Sequence, residues 1–372
     1  MYKVAYFINS LDPGGAETLV IELSKRIRQY DFEPEILHFG NVWLEQQARK
    51  LGLTCIEAPA YRYFRSTKTL PLFALKFGNF LRERHINLVH SHLYGAVVGA
   101  SLATALKHIP HIGTLHDAYT IEERPARFLL LQVASVLRTR LVVVSEDLRK
   151  YFDTLAQRYR PPFLKVFNGV DLDRFRFSSA PRLRESLGLG SEAIVLISIG
   201  RLVSIKRYDV LVDAVARLKE NTSLKLLIVG DGPGRQDLQD LIMRHGLQEH
   251  VRMLGFREDV PELLSLSDCF VLASDSEGLS YSVLESMATG IPAVVTDVGG
   301  NRELVQQGES GYLVPRGDSC TLSERIREII SDREKCKRFG DAARQRAQRC
   351  FSIDRTVEDY ARLYREALEG SR

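Results

Sequence analysis

Short β-branched apolar runs alternate with longer amphipathic stretches along the chain, and the whole alternation occurs twice. Residues 4–8, 34–39, 88–92, 112–116 and 141–144 read as buried strands, with helical patterns over 16–30, 44–51, 70–84 and 96–109 between them. Residues 194–199, 224–229, 251–254, 270–273 and 293–296 repeat the scheme, separated by helical patterns over 208–219, 235–245, 262–267 and 282–288. Strands that are apolar on both faces and joined by helices build parallel sheets covered on both sides. No sequence repeat accompanies the second round, so only the architecture recurs. A chain of 372 residues also exceeds what one hydrophobic core ordinarily serves. The expectation is two doubly wound α/β domains in tandem, joined in the turn-rich stretch 168–181. After Cys320 the pattern is mainly helical and ends in a helix over 355–368, with Ser352 or Asp354 as its N-cap. Sheets of this kind bind ligands at the carboxyl ends of their strands, which predicts a site in a cleft between two facing domains.

Composition narrows the function classes. Hydrophobic residues make up 45% and charged residues 26%, which excludes a disordered tail or a collagen-like chain. No apolar run reaches the ~20 residues a membrane span needs. The most apolar stretch, 128–137, is broken by Gln132 and Ser135, and the first residues do not read as a signal peptide. The five cysteines form no CxxC pair, which fits a reducing cytosol and suggests no thiol-ligated metal. Charge is uneven. Residues 1–172 carry 22 Lys+Arg against 16 Asp+Glu, whereas the remainder carries 29 against 31. Six of the cations (Arg62, Arg65, Lys68, Lys76, Arg82 and Arg84) face one anion, Glu83, within 61–84. A basic first half implies an anionic partner: a phosphate, a membrane surface or nucleic acid.

The densest group of chemistry-bearing residues runs from Ser274 to Glu285, directly after a strand. Glu277 stands at the strand's carboxyl end, and a helix beginning near Ser280 places Glu285 one to two turns in. Amides in such a loop and the positive helix terminus suit a phosphate, and flanking carboxylates suit sugar hydroxyls. A capped helix with ordinary surface acids explains the same spacing. Gly200-Arg201 and Lys206 follow a strand, where two cations can neutralise a diphosphate without a metal, or simply be solvated. Asp12-Pro13-Gly14-Gly15-Ala16-Glu17 permits close approach of an anion to a helix start, but it is neither GxGxxG nor a Walker A, so a tight turn fits as well. Gly230-Asp231-Gly232-Pro233-Gly234 also misses the dinucleotide spacing. Asp171-Leu172-Asp173 reads as turn chemistry. Among the histidines no acidic or thiol partner stands at a metal-like spacing. His116, ending a strand before Asp117, is a candidate to face a ligand. No GxSxG elbow supports a hydrolase, and Tyr61 to Arg65 comes without a nucleic-acid motif.

Taken in order, Gly14-Gly15-Ala16-Glu17, His116, Asn168-Gly169-Val170-Asp171, Gly200-Arg201 with Lys206, Gly230-Asp231-Gly232-Pro233, Leu254-Gly255-Phe256, Glu277-x7-Glu285, the run Glu285 to Val294 and Gly299-Gly300-Asn301-Arg302-Glu303 resemble a retaining glycosyltransferase of the GT-B fold, family 4 type. The ordered set spans the whole chain, and its specificity lies in the order. The resemblance implies two Rossmann-like domains facing a central cleft. Residues 1–172 would bind the acceptor, residues 173–352 the nucleotide sugar, and the C-terminal helix within 353–372 would pack back on the first domain.

On the same resemblance, Arg201 and Lys206 would bind the donor diphosphate, Glu285 the ribose hydroxyls, and Glu277 the sugar. Backbone groups of Gly200, Gly278, Leu279 and Ser280 would face the donor. His116 would approach the transferred sugar, Gly14 and Gly15 the phosphates or acceptor, and Phe256 and Arg257 the base. Catalysis would rest on Glu277, His116, Arg201 and Lys206, with no metal and no cofactor. Leu279-Ser280-Tyr281-Ser282 departs from the apolar pair many relatives carry, which opens the identity of the donor: a UDP-sugar is favoured, with GDP-mannose the alternative. The acceptor would be a glycan or lipid-linked molecule in cell-surface polysaccharide synthesis, with no nucleic acid involved. The location would be cytoplasmic, with the basic helix 70–84 lying either on an anionic membrane or on its own sheet. The competing readings are a GT-B epimerase or phosphorylase and a two-domain small-ligand binding protein.

Overall fold

The computed structural model describes residues 1–156 and 163–370. The last two positions of the expected C-terminal segment, 371 and 372, lie outside the described residues. The chain forms two compact units, Met1–Gly169 with Ile353–Arg372, and Val170–Ser352. The change of unit thus falls at 169/170, slightly before the 172/173 boundary read from sequence.

The first unit holds a sheet of β1 (Tyr2–Ile8), β2 (Phe32–His38), β3 (Thr54–Glu57), β4 (Leu88–His92), β5 (His111–Leu115), β6 (Arg140–Val143) and β7 (Leu164–Lys165). Their spatial order is β3-β2-β1-β4-β5-β6-β7 and every pair is parallel. β4 and β5 are buried along their whole length, as expected of strands with helices on both faces. The second unit holds β8 (Ile194–Ile199), β9 (Leu224–Val229), β10 (Val251–Gly255), β11 (Cys269–Leu272), β12 (Ala293–Thr296) and β13 (Gly311–Val314). They run in the order β10-β9-β8-β11-β12-β13, again all parallel. In each sheet the winding reverses at one place, between β1 and β4 and between β8 and β11. Connections leave such a point in opposite directions and open a crevice at the strands' carboxyl ends.

The strands that sequence patterning missed, β3, β7 and β13, are all edge strands. β3 is half exposed and β7 is two residues long. An edge strand needs no continuous apolar run, so the signal of β3 and β7 is absent where the physics does not require it, whereas β13 is mostly buried and only four residues long.

Helix Leu70–Glu83, the basic segment 70–84, packs on its own sheet, with Leu72 and Leu75 left exposed. Phe73, Ala74, Phe77 and Leu81 are fully buried against Phe7, Leu37 and Val89 of the first sheet. The final helix runs Ile353–Glu369, with Ser352 immediately before it and Asp354 in its first turn. Its apolar face belongs to the first unit, where Tyr360 and Tyr364 are fully buried and Thr356 Oγ1 donates to the Phe167 carbonyl. No helix among the described residues is long and apolar enough to cross a membrane.

Candidate active site

Two loops in the second unit carry most of the sequence candidates, and both leave the sheet at its switch point. After β8 the chain runs through Gly200, Arg201 and a short 3-10 turn, Ser204–Lys206, into helix Tyr208–Ala216. After β11 it runs through Ser274 to Ser280 into helix Tyr281–Thr289. The loops are stitched together. Asp275 N–H donates to the Ile205 carbonyl (2.8 Å), Arg207 pairs with Asp275 (3.2 Å), and Lys206 Nζ lies 2.6 Å from Glu277 Oε1. The Glu277 side chain is only 9% exposed and that of Lys206 22%, so this charge pair is largely withdrawn from water. Arg316, arriving from the turn after β13, also pairs with Asp275 (2.8 Å).

Arg207, Asp275 and Arg316 were not singled out from sequence. Two signals were available: Asp275 lies inside the Ser-Asp-Ser-Glu-Gly run, and Arg207 adjoins Lys206. What they do is structural. By fixing both loops they hold the compact ammonium of Lys206 and the carboxylate of Glu277 at one place. Arg201 is exposed on the same loop. The Gly200 carbonyl accepts from Tyr208 O–H (3.1 Å), which anchors the start of that loop.

A third loop supports the second. Gly300 N–H donates to the Gly278 carbonyl (3.1 Å), and Thr296 Oγ1 donates to the Ser274 carbonyl (2.6 Å). Gly299 has a φ of +49°, and a Cβ there would lie 1.7 Å from the Glu277 carbonyl oxygen. Gly299→Ala therefore forces the Glu277 backbone to move, and we expect a loss of about 3 kcal/mol or more. Gly308 is the control. It also has a positive φ, +74°, but nothing lies within 4 Å of its Cβ position, so Gly308→Ala should cost about 1 kcal/mol. Urea midpoints of the two variants check the difference.

Gly278, Leu279 and Ser280 are buried, and Ser280 occupies the N-cap position without a side-chain cap bond. Its hydroxyl instead lies 3.3 Å from that of Ser282. Glu285 follows inside the helix. Burial pushes its carboxyl up to about 7, opposed by the positive charge of Arg174. Arg174 is a further residue missed from sequence, since it sits 111 positions earlier. It is placed by a turn in which Asp171 Oδ1 accepts from the amides of Asp173 and Arg174. The Asp-x-Asp pair is therefore turn chemistry, as its position suggested. After β10, Phe256 is half exposed and Arg257 is held by Asp259 (2.5 and 2.7 Å).

The first unit carries the remaining candidates at the ends of β1 and β5. Gly14 is the N-cap of helix Gly15–Arg26 and has extended backbone. A Cβ on Gly14 would meet Glu17 Oε2 at 2.9 Å, and Glu17 is itself buried and accepts from Ser10 Oγ. His116 lies one residue past β5, with its Nε2 3.1 Å from His92 Nδ1. Burial holds the His116 imidazole down at about 4, so it is neutral at neutral pH. The neighbouring histidines belong to the core. His90 bridges Tyr364 O–H (2.6 Å) and Thr114 Oγ1 (2.8 Å), and His111 bridges Ser91 and Thr139.

Two family models match the chain. Residues 13–174 match Glycosyltransferase Family 4, and residues 179–346 match Glycosyl transferases group 1. The chain is a GT-B glycosyltransferase of the family 4 type. The transferase is 25% identical over 368 residues to the N-acetyl-alpha-D-glucosaminyl L-malate synthase of Bacillus anthracis, covering 96% of both chains. It is 30% identical over 308 residues to a D-inositol 3-phosphate glycosyltransferase of Geodermatophilus obscurus, covering 77% of this chain and 67% of that one. Among solved structures it resembles Anabaena HepE in complex with UDP and glucose. The TM-score is 0.87 at 23% identity, over 98% of this chain and 100% of that one, a likeness of fold.

Proposed function

We propose that the transferase moves a sugar from a nucleotide-diphosphate sugar, a UDP-sugar in preference to GDP-mannose, to a glycan or lipid-linked acceptor with retention of configuration. The observation that carries this reading is the Lys206–Glu277 pair, 2.6 Å apart on the two loops at the switch point of the second sheet. Support for the nucleotide comes from HepE, whose structures are complexes with UDP, with UDP and glucose, and with UDP-glucose. Support for a role in surface polysaccharides comes from relatives such as the lipopolysaccharide core biosynthesis glycosyltransferase LpsE of Rhizobium meliloti.

In this reading the bond from the sugar's anomeric carbon to the diphosphate breaks, and its electron pair stays on the departing phosphate oxygen. Arg201 and Lys206 stabilise that charge, aided by the amides at the start of helix Tyr281–Thr289, and they supply electrostatically what a metal would otherwise provide. Glu277 accepts hydrogen bonds from the sugar's hydroxyls and orients the ring. Glu285 does the same for the ribose, and Gly14 and Gly15 let the backbone approach the phosphates or acceptor. His116 meets the transferred sugar, while Phe256 and Arg257 flank the base. The acceptor oxygen bonds to the anomeric carbon on the face the phosphate leaves. Its proton passes to the departing phosphate oxygen, and no covalent sugar–enzyme bond forms. A glycosyl group trapped on Glu277 would contradict that step.

A thermal-shift series with UDP, GDP and ADP tests the reading. A ligand that binds only the native state stabilises it by mass action, so saturating UDP should raise Tm by about 5 °C or more. A larger shift with GDP would reassign the donor, and no shift with any of the three would remove the proposed function.

A further inference from the structure

The imidazole of His92, at the last position of β4, is fully buried. Its Nδ1 lies 3.1 Å from His116 Nε2, while its own Nε2 is sealed from solvent without a hydrogen-bond partner among the described residues. Its ring neighbours His90 and Tyr6 do not serve that nitrogen. The His90 ring packs 4.1 Å away, but both its nitrogens are committed to Tyr364 and Thr114. Tyr6, at 6.2 Å between ring centroids, stands next to the hydroxyl of Tyr364.

Both rings are neutral, because burial holds His92 and His116 below their ordinary range. One hydrogen is therefore shared between His92 Nδ1 and His116 Nε2, and two arrangements are open. If His116 donates, His92 must carry its hydrogen on Nε2, leaving a buried N–H with no acceptor. If His92 donates, only a lone pair is left unpartnered there. Orphaned buried N–H groups are the rarer and costlier of the two. The second arrangement wins, and it leaves His116 with its hydrogen on Nδ1.

We propose that His92 is a positioning residue for His116, whose Nδ1–H tautomer it fixes by donating from its own Nδ1, so that His116 meets the transferred sugar as a hydrogen-bond donor and not as a base. The proposal rests on the reading above that His116 approaches the sugar. The backbone next to His92 is consistent with a site kept for use. Leu93 has φ +72° and ψ 150°, a region that side chains strongly disfavour, and is held there by its N–H bond to the Thr114 carbonyl (3.1 Å). Strain of this kind persists where surrounding contacts over-determine it, commonly at functional sites.

Long-range ¹H–¹⁵N spectra of protein labelled at histidine nitrogen read the tautomer directly, with His116→Gln identifying the signal. The wild-type enzyme should show His116 protonated on Nδ1. His92→Leu should move that hydrogen to Nε2 and lower kcat by about tenfold, the equivalent of one hydrogen bond, with KM for the donor within about twofold. His92→Asn, whose amide nitrogen takes the place of Nδ1, should restore both tautomer and turnover. Should His92→Leu not fold, the wild-type spectrum and His92→Asn still decide. A wild-type His116 protonated on Nε2 overturns the proposal. Full kcat in His116→Gln would instead overturn the underlying sugar contact, whatever the spectrum shows.

Discussion

Lys206→Ala is expected to lower kcat by roughly 10²–10³-fold, the loss seen when one group stabilising transition-state charge is removed from a water-poor site. The Lys206 ammonium is a compact charge, 22% exposed and held by Glu277 at 2.6 Å. In the donor complex it would serve the diphosphate as well. Its removal acts twice, because Glu277, only 9% exposed, then loses the ammonium it pairs with. The two effects separate in a double-mutant cycle. Glu277→Gln in the Lys206→Ala background removes the uncompensated carboxylate, so the stability loss should largely recover while turnover stays low. Lys206→Arg should retain only part of the activity, since a planar guanidinium does not replace a point charge in a fixed pocket. Initial rates over a range of donor concentrations, with urea melts on the same variants, check all three.

Glu285 gives the second large effect, with a defined pH signature. Its carboxyl is raised from 4.5 to about 7 in the folded chain. The native state therefore binds more protons than the unfolded chain between those values. Its contribution to stability is fully present below pH 4.5 and is lost as pH rises through 7. Glu285→Gln should remove this slope and be more stable than wild type at pH 8, by on the order of 2 kcal/mol. Donor binding should show the opposite preference. Two ribose hydroxyls donating to the carboxylate favour its ionised form, so nucleotide binding near pH 6 should release a proton. That release is measurable as a dependence of the calorimetric enthalpy on the buffer's ionisation enthalpy. Glu285→Ala should weaken UDP binding about 100-fold through loss of hydrogen bonds to a charged acceptor. Binding with no proton release would remove the ribose assignment.

What could be read from the sequence follows from what each feature demands physically. The central strands must be apolar on both faces, so β1, β4, β8 and β11 stand out, and with them the loops that bear His116, Lys206 and Glu277. Edge strands make no such demand, which is why the half-exposed β3 and the two-residue β7 carry no signal. Glu277 and Lys206 could be singled out by residue type at a strand's carboxyl end, but their 2.6 Å contact joins residues 71 positions apart. Arg207 and Arg316 reach Asp275 across comparable separations, and the charge of Arg174 acts on Glu285. His92 was visible as a strand histidine. Its bond to His116 depends on the parallel register of β4 with β5, which pairs His92 with Thr114 and leaves His116 two residues beyond. The basic segment 70–84 left two readings open for a related reason. Charge counts report what flanks a helix, and only packing shows that Phe73 and Phe77 lie on the sheet.

The central claim is that Arg201 and Lys206 receive the pyrophosphate of a nucleotide. Calorimetric titration of UDP and of uridine into wild type and the Arg201→Ala/Lys206→Ala double variant isolates that contribution. The double variant is expected to lose at least about 100-fold in UDP affinity, with uridine binding changed less than about threefold. Equal UDP affinity in the two proteins would contradict the claim.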